Sequence, residues 1–111
     1  MKVEDLTAAE VEKRQYRRAK LIAQVQCAAL NRESLAVTRD ISVGGMFLND
    51  RDPFPARSIV QLSFRLDPGG AQMTCRGEVA YAIKGVGMGV MFRDLPEDVR
   101  AAIEQFVAAA S

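Results

Sequence analysis

The sequence predicts a mainly β fold: a six-stranded antiparallel β-barrel with a short N-terminal helix or arm before it and a C-terminal α-helix after it. Three observations carry this expectation. Between Leu21 and Phe92, apolar and polar residues alternate in short runs, the period of half-buried strands. The runs are separated by turn-forming clusters such as NRES, DRDPFPA and DPGG, with no helical pattern between them, which favours a closed or nearly closed barrel. Helical periodicity occurs at the two ends of the chain and nowhere else.

The first helix is expected to begin near Ala8. Thr7 and Glu10 have capping-box spacing, and Leu6 and Val11 stand where a hydrophobic staple would place them. A continuing helix would set Glu10, Arg14 and Arg18 along one face, with Glu10 in the favourable orientation to pair with Arg14.

The strands follow in order. LIAQVQCAA turns Leu21, Ala23, Val25 and Cys27 to one side and Gln24 and Gln26 to the other. NRES is read as the next turn. In SLAVTRDIS, Leu35, Val37 and Ile41 share one parity, whereas Thr38, Asp40 and Ser42 share the other, so Asp40 and Ser42 are expected to face outward together. MFLN follows Gly44 and Gly45, and the two prolines of DRDPFPA end its pairing. IVQLSFRL directs Val60, Leu62, Phe64 and Leu66 inward, DPGG turns, TCRGEVAYAI groups Cys75, Val79, Tyr81 and Ile83, and VGMGVMF is the last strand. In LPEDVRAAIEQFVAAA, Pro96 suits a first helical turn, Glu97 and Asp98 complement its positive end, and Val99, Ile103, Phe106 and Val107 form an apolar stripe that should dock on the barrel.

The 111 residues are read as a single domain, with a helix and arginine arm over 1–20, a barrel over 21–94 and a helix over 95–111. A chain of this size buries roughly two thirds of its unfolded surface and needs no covalent staple. Cys27 and Cys75 lack CxxC or metal-ligand spacing and histidine is absent, so the usual zinc and iron ligand sets cannot be assembled. The cysteines are expected to be reduced, buried thiols. MKVEDLTAAEVEKR has the pattern of neither a signal peptide nor a membrane span, so a cytoplasmic location is expected, without membrane insertion.

Catalysis has little support. No imidazole is present to activate Ser42 or a thiol, and the acids are scattered. Gly85, Gly87 and Gly89 fall within a predicted strand rather than between a strand and a helix, which is the wrong setting for a dinucleotide loop, and close packing explains them better.

Two stretches remain. KRQYRRAK, Lys13 to Lys20, holds five cations and no acid in a chain of net charge +1, so removing it leaves the rest at −4 by count. The charge is one concentrated spot, in which Arg14 and Arg18 supply two planar guanidinium forks suited to phosphate and to guanine O6 and N7. A solvated helix face is the plainer explanation of these residues taken alone. RDISVGGMF sets Asp40 and Ser42 at the end of a strand, followed by glycines that permit a tight bend. An ionised Asp accepts from two neighbouring donors, as the ring NH and amino group of guanine offer. Bonding of Asp and Ser to nearby backbone amides would explain the pattern equally well.

Together these stretches resemble the PilZ family, which binds the bacterial second messenger cyclic di-GMP. The family signatures RxxxR and D/N-x-S-x-x-G appear in order as RQYRR (Arg14 to Arg18) and DISVGG (Asp40, Ser42, Gly45), and GMGVMF is similar to the family's last strand. The likeness runs from about Lys13 to Phe92. It implies a cyclic di-GMP receptor or effector without cofactor or metal, whose arm orders on binding and whose contacts with a downstream protein then change. It further implies that Arg14 and Arg18 grip phosphate and the guanine Hoogsteen edge, that Asp40 and Ser42 contact the base, and that Gly45 keeps the turn open. Lys13 and Arg17 would assist through charge, Gly44 shares the bend, and Arg39 alternates away from Asp40 unless the bend reorients it. One alternative is a PilZ-like adaptor working by protein contact alone. Another is a small-barrel binder of single-stranded nucleic acid, disfavoured because Tyr16 is the sole aromatic in the basic run and the barrel is acidic by count.

Overall fold

The computed structural model describes residues 17–29 and 31–110. The predicted N-terminal helix, Lys13 and Arg14 lie outside the described residues. Strands β1 (Ala19–Ala29), β2 (Arg32–Ile41), β3 (Gly45–Asn49), β4 (Ile59–Arg65), β5 (Gln72–Ile83) and β6 (Gly87–Arg93) precede a helix, α1 (Glu97–Ala110). The strands close into an antiparallel barrel in the order β1-β2-β3-β6-β5-β4. Closure leaves no continuous exposed edge, which a flat six-stranded sheet would have.

The interior is filled by the alternation the sequence announces. Leu21, Val25 and Cys27 of β1, Val60, Leu62 and Phe64 of β4, and Cys75 and Val79 of β5 are all buried. Val99, Ile103 and Val107 extend the core from α1, which packs on β1 and β5, and Phe106 is half-buried beside them. Pro96 stands just before the helix, and its carbonyl accepts the Arg100 N–H at 2.8 Å. Among the described residues, no helix is long and apolar enough to cross a membrane.

Several boundaries and faces differ from the sequence reading. β1 begins at Ala19 rather than Leu21, taking Ala19 and Lys20 out of the arm. NRES is not a four-residue turn, because Arg32, Glu33 and Ser34 already belong to β2 and Ala29 pairs with Arg32 across a two-residue connection. Asn31 takes φ 65°, a value for which Asn is among the better-suited residues.

The largest correction concerns β2. Leu35 and Val37 are 61% and 40% exposed, whereas Ala36 and Thr38 are buried and Ile41 is buried with them. A bulge reverses the parity. Arg39 and Asp40 together stand opposite Phe47 between the pairs Thr38–Leu48 and Ile41–Met46. Thr38 tolerates the interior because its hydroxyl lies within hydrogen-bond range of the carbonyls of Asp40 (2.9 Å) and Phe47 (2.8 Å).

A second bulge, at Ala80 between Val79 and Tyr81, returns Tyr81 and Ile83 to the outside, 46% and 47% exposed, contrary to the expected inward grouping. Gly85 lies in the β5–β6 turn with φ 81° rather than within a strand. The loop after β3 carries Phe54, which is 1% exposed beneath the Arg32 guanidinium, 4.0 Å from the ring centroid.

Both cysteines are free and buried. Burial pushes each thiol from an ordinary 9.0 to about 11, with the Asp50 carboxylate adding to the rise at Cys27 and Arg32 opposing it. The fold therefore favours the protonated thiols. This contribution is complete below pH 9, where the unfolded chain also keeps them protonated, and is lost as pH rises towards 11. Urea unfolding across that range is expected to show falling stability, and the double variant Cys27→Ala, Cys75→Ala should lose this part of the pH dependence.

Candidate functional site

The start of β1, the end of β2, the start of β3 and the end of β6 meet at one rim of the barrel. Lys20 is the register partner of Asp40, Ile41 pairs with Met46, and Gly45 pairs with Met91. The β2 bulge therefore lifts Asp40 to the rim beside the point where the basic run enters the barrel.

Arg18 reaches across this rim. Its Nη2 donates to Asp40 Oδ1 at 2.7 Å, and its Nη1 lies 3.4 Å from Ser42 Oγ. The side chains of Arg18 and Asp40 are 29% and 43% exposed, so the pair stays in contact with solvent. The other carboxylate oxygen of Asp40 has no partner among the described residues and remains an open acceptor.

Ser42 does not face outward as the alternation suggested: it is 1% exposed, at the head of the turn that carries the chain from β2 into β3. Its hydroxyl nevertheless reaches the site, accepting the Gly44 N–H at 3.1 Å as well as facing Arg18. The Ser42–Gly45 turn is closed by reciprocal backbone bonds, Ser42 N–H to Gly45 O at 2.9 Å and Gly45 N–H to Ser42 O at 3.3 Å. The Phe92 N–H donates to Gly44 O at 2.9 Å and ties the turn to β6.

Gly45 has a steric role. A Cβ on it would lie 2.0 Å from the Val90 carbonyl oxygen, so only glycine lets β3 approach β6 at this register. Arg17 and Arg39 are exposed near the rim. The bulge places Arg39 together with Asp40 opposite Phe47, instead of on strictly alternate faces. Lys20 was not singled out by sequence as a contact residue, yet it is exposed and directly paired with Asp40. Its membership in the basic run was the available signal, hidden by starting the strand at Leu21.

The rim thus gathers a guanidinium, a half-exposed carboxylate, a hydroxyl and a glycine-rich turn. Among the described residues, no cluster of Cys, Asp and Glu has the makings of a metal site.

The family profile described as PilZ domain matches residues 12–109, nearly the whole chain. The chain belongs to the PilZ domain family. No curated protein matches it. The inhibitor of motility of Bacillus subtilis (MotI/DgrA) superposes with a TM-score of 0.76 at 19% identity, over 86% of this chain and 49% of that one. This PilZ chain therefore spans about half of MotI. The PilZ domain of YcgR from Escherichia coli, solved with c-di-GMP, superposes with a TM-score of 0.71 at 14% identity, over 88% of this chain and 91% of that one. At these identities the likeness is one of fold.

The packing around Gly45 makes it a structural as well as a signature residue. Gly45→Ala is expected to destabilise the domain by about 2 kcal/mol or more, from the cost of overpacking against a backbone atom. Denaturant unfolding of the variant without nucleotide checks this, and an unchanged midpoint would show that β3 and β6 part without cost.

Proposed function

We propose that this PilZ domain is a receptor for cyclic di-GMP, and that binding orders the residues preceding β1 and alters contacts with a downstream protein. The observation that carries this reading is the meeting of the two signature stretches at one rim, with Arg18 2.7 Å from Asp40 and 3.4 Å from Ser42 Oγ. The structure of the YcgR PilZ domain with c-di-GMP supports the choice of ligand.

The ligand carries two phosphodiester charges and two guanines. Arg18 and Arg14 supply guanidinium forks for phosphate or for guanine O6 and N7, and Lys13, Arg17 and Arg39 add attraction. Asp40 offers its open oxygen to the guanine ring NH and amino group, while Ser42 and Gly44 shape the wall beneath. An exposed ion pair such as Arg18–Asp40 is worth under about 1 kcal/mol, so the ligand can share or replace it at small cost. Ordering the chain before β1 costs about 1 to 2 kcal/mol per backbone residue fixed, so both signatures must engage for the bound arrangement to persist. The domain acts as a switch rather than a catalyst, and its free buried thiols support a reducing, cytoplasmic setting.

Calorimetry with cyclic di-GMP tests the proposal. Arg14→Ala, Arg18→Ala and Asp40→Ala are each expected to weaken binding roughly 10- to 100-fold, the range for loss of a charge-assisted hydrogen bond. Unchanged affinity in all three would refute the site, and no binding by the wild type would select the protein-contact adaptor instead.

A further inference from the structure

Thr38 and Ser42, 0% and 1% exposed, are the buried polar side chains among the described residues, and they stand two positions either side of Asp40. Ser42 already belongs to the rim site. Thr38 lies inside the barrel, on the face of β2 that also carries buried Ala36. Valine has nearly the same shape and would fill such an interior without a polar atom, so a threonine buried there calls for a physical reason.

The reason is where its hydroxyl goes. Oγ1 lies 2.9 Å from the carbonyl oxygen of Asp40 and 2.8 Å from that of Phe47, and its single proton is shared between them. Asp40 is one of the two bulged residues, and Phe47 is the residue that both oppose. One side chain thus joins both partners of the bulge, tying β2 to β3 where the ladder is interrupted.

The bulge decides where Asp40 points. Carried on from the Thr38–Leu48 pair without an inserted residue, the register would set Asp40 opposite Met46 on the inward parity of Thr38 and turn Ile41 outward. Burying a carboxylate and exposing Ile41 are both unfavourable, which keeps the inserted residue in β2. Neither effect fixes its geometry. The Arg18–Asp40 pair at 2.7 Å is solvent-exposed and too weak to hold a bent strand in one position, whereas the shared hydroxyl grips the bulge from the water-free side.

We propose that Thr38 is a positioning residue for the nucleotide site: its hydroxyl holds the bulge so that the Asp40 carboxylate stands at the rim, beside Arg18 and Ser42, before ligand arrives. This rests on the reading of the rim as a cyclic di-GMP site. Thr38 is enclosed by the barrel and touches no ligand, so it acts through Asp40.

Variants of the whole chain test it by two readouts. Thr38→Val keeps the volume and removes the hydroxyl, whereas Thr38→Ser keeps the hydroxyl and removes a methyl. Without nucleotide, hydrogen exchange at the amides of Asp40, Ile41 and Phe47 is expected to quicken roughly fivefold or more in Thr38→Val, relative to Leu62 and Cys75 on the β4–β5 wall, and not in Thr38→Ser. In calorimetry with cyclic di-GMP, Thr38→Val should weaken binding roughly 3- to 10-fold and Thr38→Ser less than about 2-fold, and Thr38→Val should add no loss once Asp40→Ala is present. Wild-type affinity in Thr38→Val, or an equal loss with and without the Asp40 carboxylate, would overturn the positioning role and leave the receptor reading standing. Unchanged exchange at the bulge in Thr38→Val would overturn it as well. Faster exchange there, together with a wild type that binds no nucleotide, would overturn the receptor reading instead and leave Thr38 as the support of Asp40.

Discussion

The bulge that sets Arg39 and Asp40 together opposite Phe47 governs both sides of the molecule. Without it, strict alternation along β2 would carry Thr38, Asp40 and Ser42 to one face. With it, Thr38 and Ile41 are both buried, and Asp40 is left half-exposed at the rim. The extra residue leaves the ladder locally disrupted, and the Thr38 hydroxyl stands between two of the carbonyls involved. A compensating irregularity lies next to it in β1, where Leu21 and Ile22 together stand opposite Arg39. Leu21 is buried and Ile22 is 74% exposed, the same alternation that runs through the rest of β1. The two register shifts lie side by side where Arg18 enters the barrel.

Electrostatics at this rim is local. The cations of the basic run stand against a remainder of net charge −4 by count, so attraction of an anion is concentrated where the chain enters β1. Arg18 rests on Asp40 while remaining in contact with water, an arrangement that positions the guanidinium without fixing it strongly. The rigid partner is the Ser42–Gly45 turn, pinned by its own backbone bonds and by Phe92 to β6. A cation held by one solvent-exposed ion pair thus stands above a turn held by backbone bonds.

The outer face poses the opposite problem. The interior of a six-stranded barrel is small, and this one is filled by residues of every strand and of α1, so further apolar side chains are left outside. Phe47 and Tyr81 reduce their exposure by lying on Gly87 and Gly89, each ring covering a position without a side chain. What remains exposed includes Val37, Tyr81, Ile83 and Val86.

The number of strands and their succession along the chain, the inward faces of β1 and β4, and the buried stripe of α1 were legible in the residues alone, because each follows from local periodicity and local turn chemistry. The pairing of the basic run with Asp40 and Ser42 was legible as a pattern of residue types along the chain. The faces of Leu35, Val37, Tyr81 and Ile83, the burial of Ser42 and the position of Phe54 under Arg32 were not. A single inserted residue reverses every side chain beyond it, and whether a strand takes that insertion depends on what the neighbouring strands can accept. Alternation along one strand reports only that two faces differ. The closing of the barrel, which gives each strand two neighbours and one interior to share, decides which face goes in.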